Sequence, residues 1–169
     1  KMWKPFHLNN LPMQVLLQDR RLLLYLLDIN NVPTLRRLVT QRYGPPYIGE
    51  EVQEILNRQG VPIPQFSDEY IDVEVIDEDT LKIGPDIIKK PFVEKPVSAD
   101  DHNVYVYYPK SQGGGIRKLY RKVSSLYTIS YLKECVLNLV KTFDKSSDYE
   151  KTTTYPRVDN DYIYEEFVN

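Results

Sequence analysis

The run Tyr70-Ile71-Asp72-Val73-Glu74-Val75-Ile76-Asp77-Glu78-Asp79-Thr80-Leu81-Lys82-Ile83 decides the fold class. Apolar Ile71, Val73 and Val75 alternate with Asp72 and Glu74, the two-residue period of a strand with one face in a core. Asp77-Glu78-Asp79 interrupts the alternation, and Leu81 and Ile83 resume it, so the stretch reads as a hairpin. Downstream, Ile88 to Lys95, Asn103 to Tyr108 and Leu119 to Val123 are further strand candidates, and Tyr162 to Phe167 closes the set. Strands in direct succession predict a mainly antiparallel sheet.

Upstream the period is helical. Leu11 to Ile29 reads as helix, with Pro12 tolerated in a first turn and Met13, Leu16 and Leu17 on one face. Asp19 is placed to cap a second helix, Arg20 to Leu27, whose nearly uninterrupted apolar surface predicts burial in a packed layer. Asn30, Asn31 and Pro33 end it. Leu35 to Thr40 is a short strand candidate before the break at Tyr43-Gly44-Pro45-Pro46. A third helix, Ile48 to Gln59, carries Val52, Ile55 and Leu56 on one face and stops at Gly60. Beyond the sheet, Ser130 begins another amphipathic helix with Leu132, Cys135, Val136, Leu139, Val140 and Phe143 at its period. From Lys145 the chain reads as a polar loop, in which Arg157 is expected to add almost nothing to ligand binding.

Composition narrows the function classes. The chain has 169 residues, 41% of them apolar, and a domain of this length buries about 70% of its unfolded surface without covalent staples. The single Cys135 excludes an internal disulfide, and no Cys/His cluster has zinc spacing, which favours a reducing, cytoplasmic setting. Leu22 to Leu27, the longest apolar run, is far below the roughly 18 residues of a membrane span, so no membrane partner is expected. A net charge of −2 speaks against a duplex nucleic-acid partner. Both ends look cut from a longer polypeptide.

Chemistry-bearing residues crowd between Lys89 and Lys122. They are Lys89-Lys90 with Lys95, Asp100-Asp101-His102, the triple glycine Gly113-Gly114-Gly115, and Arg121-Lys122. On a strand, Val93 and Lys95 face one way and Glu94 the other, which lets Lys95 project from the apolar face toward an anion. Singly, each has an ordinary reading: a solvated strand lysine, a loop histidine, a mobile turn, an exposed cation pair. Their joint occurrence on neighbouring strands points to a phosphate-bearing ligand.

The run Lys90-Pro91-Phe92-Val93-Glu94-Lys95-Pro96-Val97-Ser98-Ala99-Asp100-Asp101-His102-Asn103-Val104-Tyr105-Val106-Tyr107-Tyr108-Pro109, continued through the triple glycine to Leu119-Tyr120-Arg121-Lys122-Val123, closely resembles the kinase domain of the diphosphoinositol pentakisphosphate kinases. Leu17-Gln18-Asp19-Arg20-Arg21, Asp77 to Leu81 and Tyr162-Ile163-Tyr164-Glu165-Glu166-Phe167 add to the likeness. The resemblance implies an α+β, ATP-grasp-like lobe. Residues 1–69 would form its helical part, 70–123 with 162–169 its nucleotide-binding sheet, and 124–161 an insertion longer than the family's loop.

It also implies that Arg20, Lys95, His102 and Arg121 contact the ATP phosphates, with Lys95, His102 and Arg121 acting in catalysis. Arg121 and Lys122 would face the inositol polyphosphate, and Glu165, Glu166 and Phe167 would form the hinge beside the adenine. The reaction implied is transfer of the ATP γ-phosphoryl group to inositol hexakisphosphate or diphosphoinositol pentakisphosphate. Its Mg²⁺ ligands would lie beyond the hinge, outside this chain. A non-catalytic module that binds nucleotide or inositol polyphosphate, or an interaction domain, is the alternative expectation.

Overall fold

The computed structural model describes residues 11–119 and 147–167. The chain enters through α1 (Leu11–Gln14) and a 3-10 turn at Val15–Leu17, then bends at Asp19. The extended backbone of Asp19 lets its carboxylate accept the Arg21 N–H at 2.8 Å, which caps α2 (Arg20–Ile29). After β1 (Arg37–Val39), α3 (Glu50–Arg58) begins with Glu50 and Glu51 and ends near Arg58, charges that complement the helix dipole at both ends. Gly60, at φ +69°, takes the left-handed turn that ends it.

These helices build a small core of Leu16, Leu22, Ile48, Val52 and Leu56. Only Leu22 of α2 is fully buried, so the expectation of burial all round is corrected. The helix has one packing partner layer, and its remaining leucines are half-buried along the rim.

Among the described residues eight strands follow: β2 (Val73–Asp77), β3 (Thr80–Ile83), β4 (Asp86–Lys89), β5 (Phe92–Pro96), β6 (Val104–Tyr107), β7 (Ile116–Leu119), β8 (Ser147–Glu150) and β9 (Tyr162–Glu166). All pairings between strands are antiparallel, and with the helices they make an α+β arrangement compatible with an ATP-grasp-like lobe. They form two sheets, not one: β1-β9-β5-β6-β7-β8 and β2-β3-β4. The reading of Ile88 to Lys95 as one strand is corrected at Pro91, whose missing N–H and fixed φ break the ladder. β4 stays in the small sheet while β5 crosses into the large one.

The small sheet covers one face of the large sheet. Leu81, Ile83 and Ile88 meet Phe92, Tyr107, Ile116, Tyr162 and Tyr164, with the Phe92 and Tyr107 rings stacked 5.0 Å apart and Tyr164 edge-on to Phe92 at 5.7 Å. β9 lies inside the large sheet, paired on both sides between β1 and β5, which accounts for the near-complete burial of Tyr162, Ile163 and Tyr164. β7 begins at Ile116 and includes Leu119, and residues 120–123 of the expected Leu119 to Val123 strand lie outside the described residues. One strand position differs from the sequence reading: β8 forms in the stretch read as loop. Among the described residues Ser147-Asp148-Tyr149-Glu150 pairs with β7 alone, and it has no apolar alternation to announce it. The helix expected over 130–143 lies outside the described residues.

Candidate functional site

The register sets which side chains can meet. Val93 pairs with Glu165 and Lys95 with Ile163, so Val93, Lys95, Ile163 and Glu165 share the face of the large sheet opposite the aromatic core. The alternation read from the sequence holds, but the larger core lies on Glu94's side. On the Lys95 face, the Lys95 ammonium forms an ion pair with the Glu165 carboxylate.

The segment Gln18–Arg20 is zipped to the chain leaving β5. Arg20 donates its backbone N–H to Val97 at 2.8 Å, Ala99 donates to Gln18 at 2.7 Å, and Asp19 bridges Ser98. This places the Arg20 guanidinium inside the loop 97–103. Nη1 donates to the carbonyls of Pro96 and Ser98, and Nη2 to that of Asp101 at 3.2 Å. Burial lowers the Arg20 pKa, with the charges of Asp101 and Glu165 pulling the other way. Arg20, Lys95 and Glu165 therefore share one neighbourhood at the end of β5, and Arg20 shapes the loop that carries His102.

The other expected residues are spread more widely. His102 is exposed, and its carbonyl accepts the Val104 N–H at 2.9 Å. Glu166 points away from Lys95 and pairs with Arg36 at 3.0 Å. Phe167 donates its N–H to the Pro91 carbonyl at 3.3 Å, which fastens the end of β9 to the start of β5. Arg121 and Lys122 lie outside the described residues. The triple glycine forms the turn between β6 and β7, with φ of +95°, +68° and +77° at Gly113, Gly114 and Gly115. The Gly113 and Gly114 amides donate to the carbonyls of Lys110 and Pro109. Beside this turn lies a cavity of about 250 Å³ that Lys90, Lys110 and Lys151 share with Glu78 and Asp79. Among the described residues no group of three or more His, Cys, Asp or Glu side chains is placed to hold a metal ion.

Sequence reasoning missed a buried ion pair. Glu94 is fully buried and receives Arg157, whose N–H donates at 3.1 Å and whose Nε donates at 2.6 Å. Tyr164 and Tyr107 donate to the same carboxylate at 3.0 and 3.3 Å. Arg157 also lies over the rings of Tyr105 and Tyr162, 3.9 and 4.4 Å from their centroids, and Nη2 donates to the Asn103 carbonyl at 2.6 Å. Burial raises the Glu94 pKa although Arg157 opposes it. Burial alone would lower the Arg157 pKa, but the Glu94 charge outweighs it and leaves it raised. Arg157, read as part of a polar loop, instead has a structural role: it fastens 151–161 to β5 and to the loop 97–103. The available signal was Glu94 itself, a charge at the same strand phase as Phe92 and Pro96, which requires a counter-charge in the core.

No protein-family model matches the chain. Comparison with curated proteins finds relatives along its full length. The inositol hexakisphosphate and diphosphoinositol-pentakisphosphate kinase of Saccharomyces cerevisiae is 40% identical over 169 residues, 100% of this chain and 13% of that protein. Kinase 2 of the same description from Mus musculus is 35% identical over 168 residues, 99% of this chain and 11% of its own length. The Caenorhabditis elegans kinase is 32% identical over 169 residues, again 99% of this chain and 10% of that protein. The chain thus spans roughly a tenth of the length of these relatives.

Proposed function

We propose that this chain, homologous over its whole length to a segment of inositol hexakisphosphate and diphosphoinositol-pentakisphosphate kinases, forms the ATP-binding part of an inositol pyrophosphate synthase. The observation that carries the reading is the convergence of Arg20, Lys95 and Glu165 at the end of β5, on one sheet face and beside the loop 97–103. Phosphoryl transfer asks a protein chiefly for positioning and for cationic stabilisation of phosphate oxygens. Lys95 is a mobile point charge suited to such an oxygen, and Arg20 is pre-set by its carbonyl contacts. His102, carried on the same loop, supplies a further donor, and Arg121 and Lys122 complete the set toward the inositol polyphosphate. The backbone of Glu165, Glu166 and Phe167, held to Pro91, is the hinge against which the adenine lies. ATP would supply the phosphoryl group and Mg²⁺ the charge compensation for its transfer.

Photolabelling with 8-azido-ATP tests the placement. Label recovered on peptides spanning Phe92 to Asn103 or Tyr162 to Phe167, and competed by ATP, supports it. Label confined to α3 or the small sheet contradicts it. Binding of ATP without phosphoryl transfer to inositol hexakisphosphate would favour the second reading, a non-catalytic nucleotide or polyphosphate module.

A further inference from the structure

The geometry points to Glu165 as the residue that makes the Lys95 pocket discriminate a nucleotide from a bare polyphosphate. The inference rests on the nucleotide reading above and adds a role for the Glu165 side chain. Lys95 and Glu165 are 31% and 11% exposed at their side chains, a half-open pair on one sheet face and not a surface contact. The neighbouring cations have other acceptors. Arg20 serves the carbonyls of Pro96, Ser98 and Asp101, and Arg37, opposite Glu165 in the register, is paired with Asp28.

An anion that binds the ammonium must therefore share it with Glu165. It then sits next to a largely desolvated carboxylate, and like charges in a poorly hydrated site repel strongly. A bare polyphosphate has nothing to offer that carboxylate. A nucleotide does, because an N–H donor of the base can occupy Glu165 while a phosphate oxygen occupies Lys95. Glu165 thus acts as a resident anion that raises the threshold for polyphosphates, including the inositol polyphosphates the site must leave for their own subsite. It does so without weakening a ligand that carries both groups.

Calorimetric titration with inorganic tripolyphosphate and with ATP, both without Mg²⁺, tests this in the wild type, Glu165→Gln, Glu165→Asp, Lys95→Met and the double variant Glu165→Gln/Lys95→Met. Glu165→Gln, isosteric on a central strand, should bind tripolyphosphate about tenfold more tightly, the equivalent of one charge-assisted hydrogen bond to phosphate, and ATP no more than about twofold more tightly. Glu165→Asp keeps the carboxylate and should stay within about threefold of wild type. In the Lys95→Met background the gain should vanish. An unchanged or weaker tripolyphosphate affinity in Glu165→Gln overturns the assignment, as does a gain that persists without Lys95. If the Lys95-dependent gain appears but ATP binds none of the proteins, the role of Glu165 stands for polyphosphate and the nucleotide reading falls.

Discussion

Glu94 shows how one residue can govern a site it never touches. It precedes Lys95 on β5 and points into the aromatic core, where Arg157, Tyr164 and Tyr107 satisfy its carboxylate. Removing one partner of a buried pair leaves an uncompensated charge, a loss of about 3–5 kcal/mol, so Arg157→Ala should destabilise the fold by roughly that amount in urea unfolding. Pairing it with Glu94→Gln should recover part of the loss, because no charge is then left unpaired. The pH dependence has a definite sign. The folded-state pKa of Glu94 lies above its ordinary value of 4.5, so its contribution is full below that value and is lost as pH rises through the raised one. Without Arg157 the carboxyl shifts further up. The Arg157→Ala penalty should therefore be small near pH 4.5 and grow toward pH 8, and a penalty that is flat with pH would contradict this role for the pair.

At the scale of elements, the turn from β6 to β7 separates two effects of glycine. All three of its glycines have positive φ, but a Cβ at Gly114 meets open space, whereas one at Gly115 lies 2.6 Å from the Glu150 carbonyl oxygen and 2.9 Å from Lys151 Cα. Those are backbone atoms at the end of β8 and cannot rotate away. Gly114→Ala should cost about 1–2 kcal/mol of left-handed strain, and Gly115→Ala clearly more, since it also pushes β8 from β7. Equal midpoints in urea would contradict this. The same elements show what the sequence made legible. The β2–β3 hairpin, the Asp19 cap and the Gly60 stop were readable because each is decided by local chemistry. β8 was not, because its residues, paired with β7 among the described residues, carry no apolar period. The separation of β4 from β5 was only half legible: Pro91 marks a break, but the sheet each strand joins depends on distant partners.

Across the whole molecule, β9 joins parts that are far apart in sequence. It enters between β1 and β5, brings Glu165 to Lys95, and fastens its end to Pro91. Lys95 was legible from its strand phase and the cations around it, but Arg20 and Glu165 only through resemblance, because periodicity could give a side chain's face but not its neighbour across 70 residues. Arg157 escaped for the same reason: its role is set by a partner 63 residues away. The central claim is that Lys95 is the cation on which a nucleotide phosphate docks, and the direct measurement is a calorimetric ATP titration of Lys95→Met beside Lys82→Met. Lys82 is a half-buried lysine on the small sheet, paired with Glu74 and outside the site. Lys95→Met should weaken ATP binding at least about tenfold, as expected when a phosphate oxygen no longer has its charge-assisted hydrogen bond. Its affinity should also depend less on salt than the wild type's, while Lys82→Met matches the wild type. Equal ATP affinities for the two variants, in proteins that unfold at the same temperature, would contradict the claim.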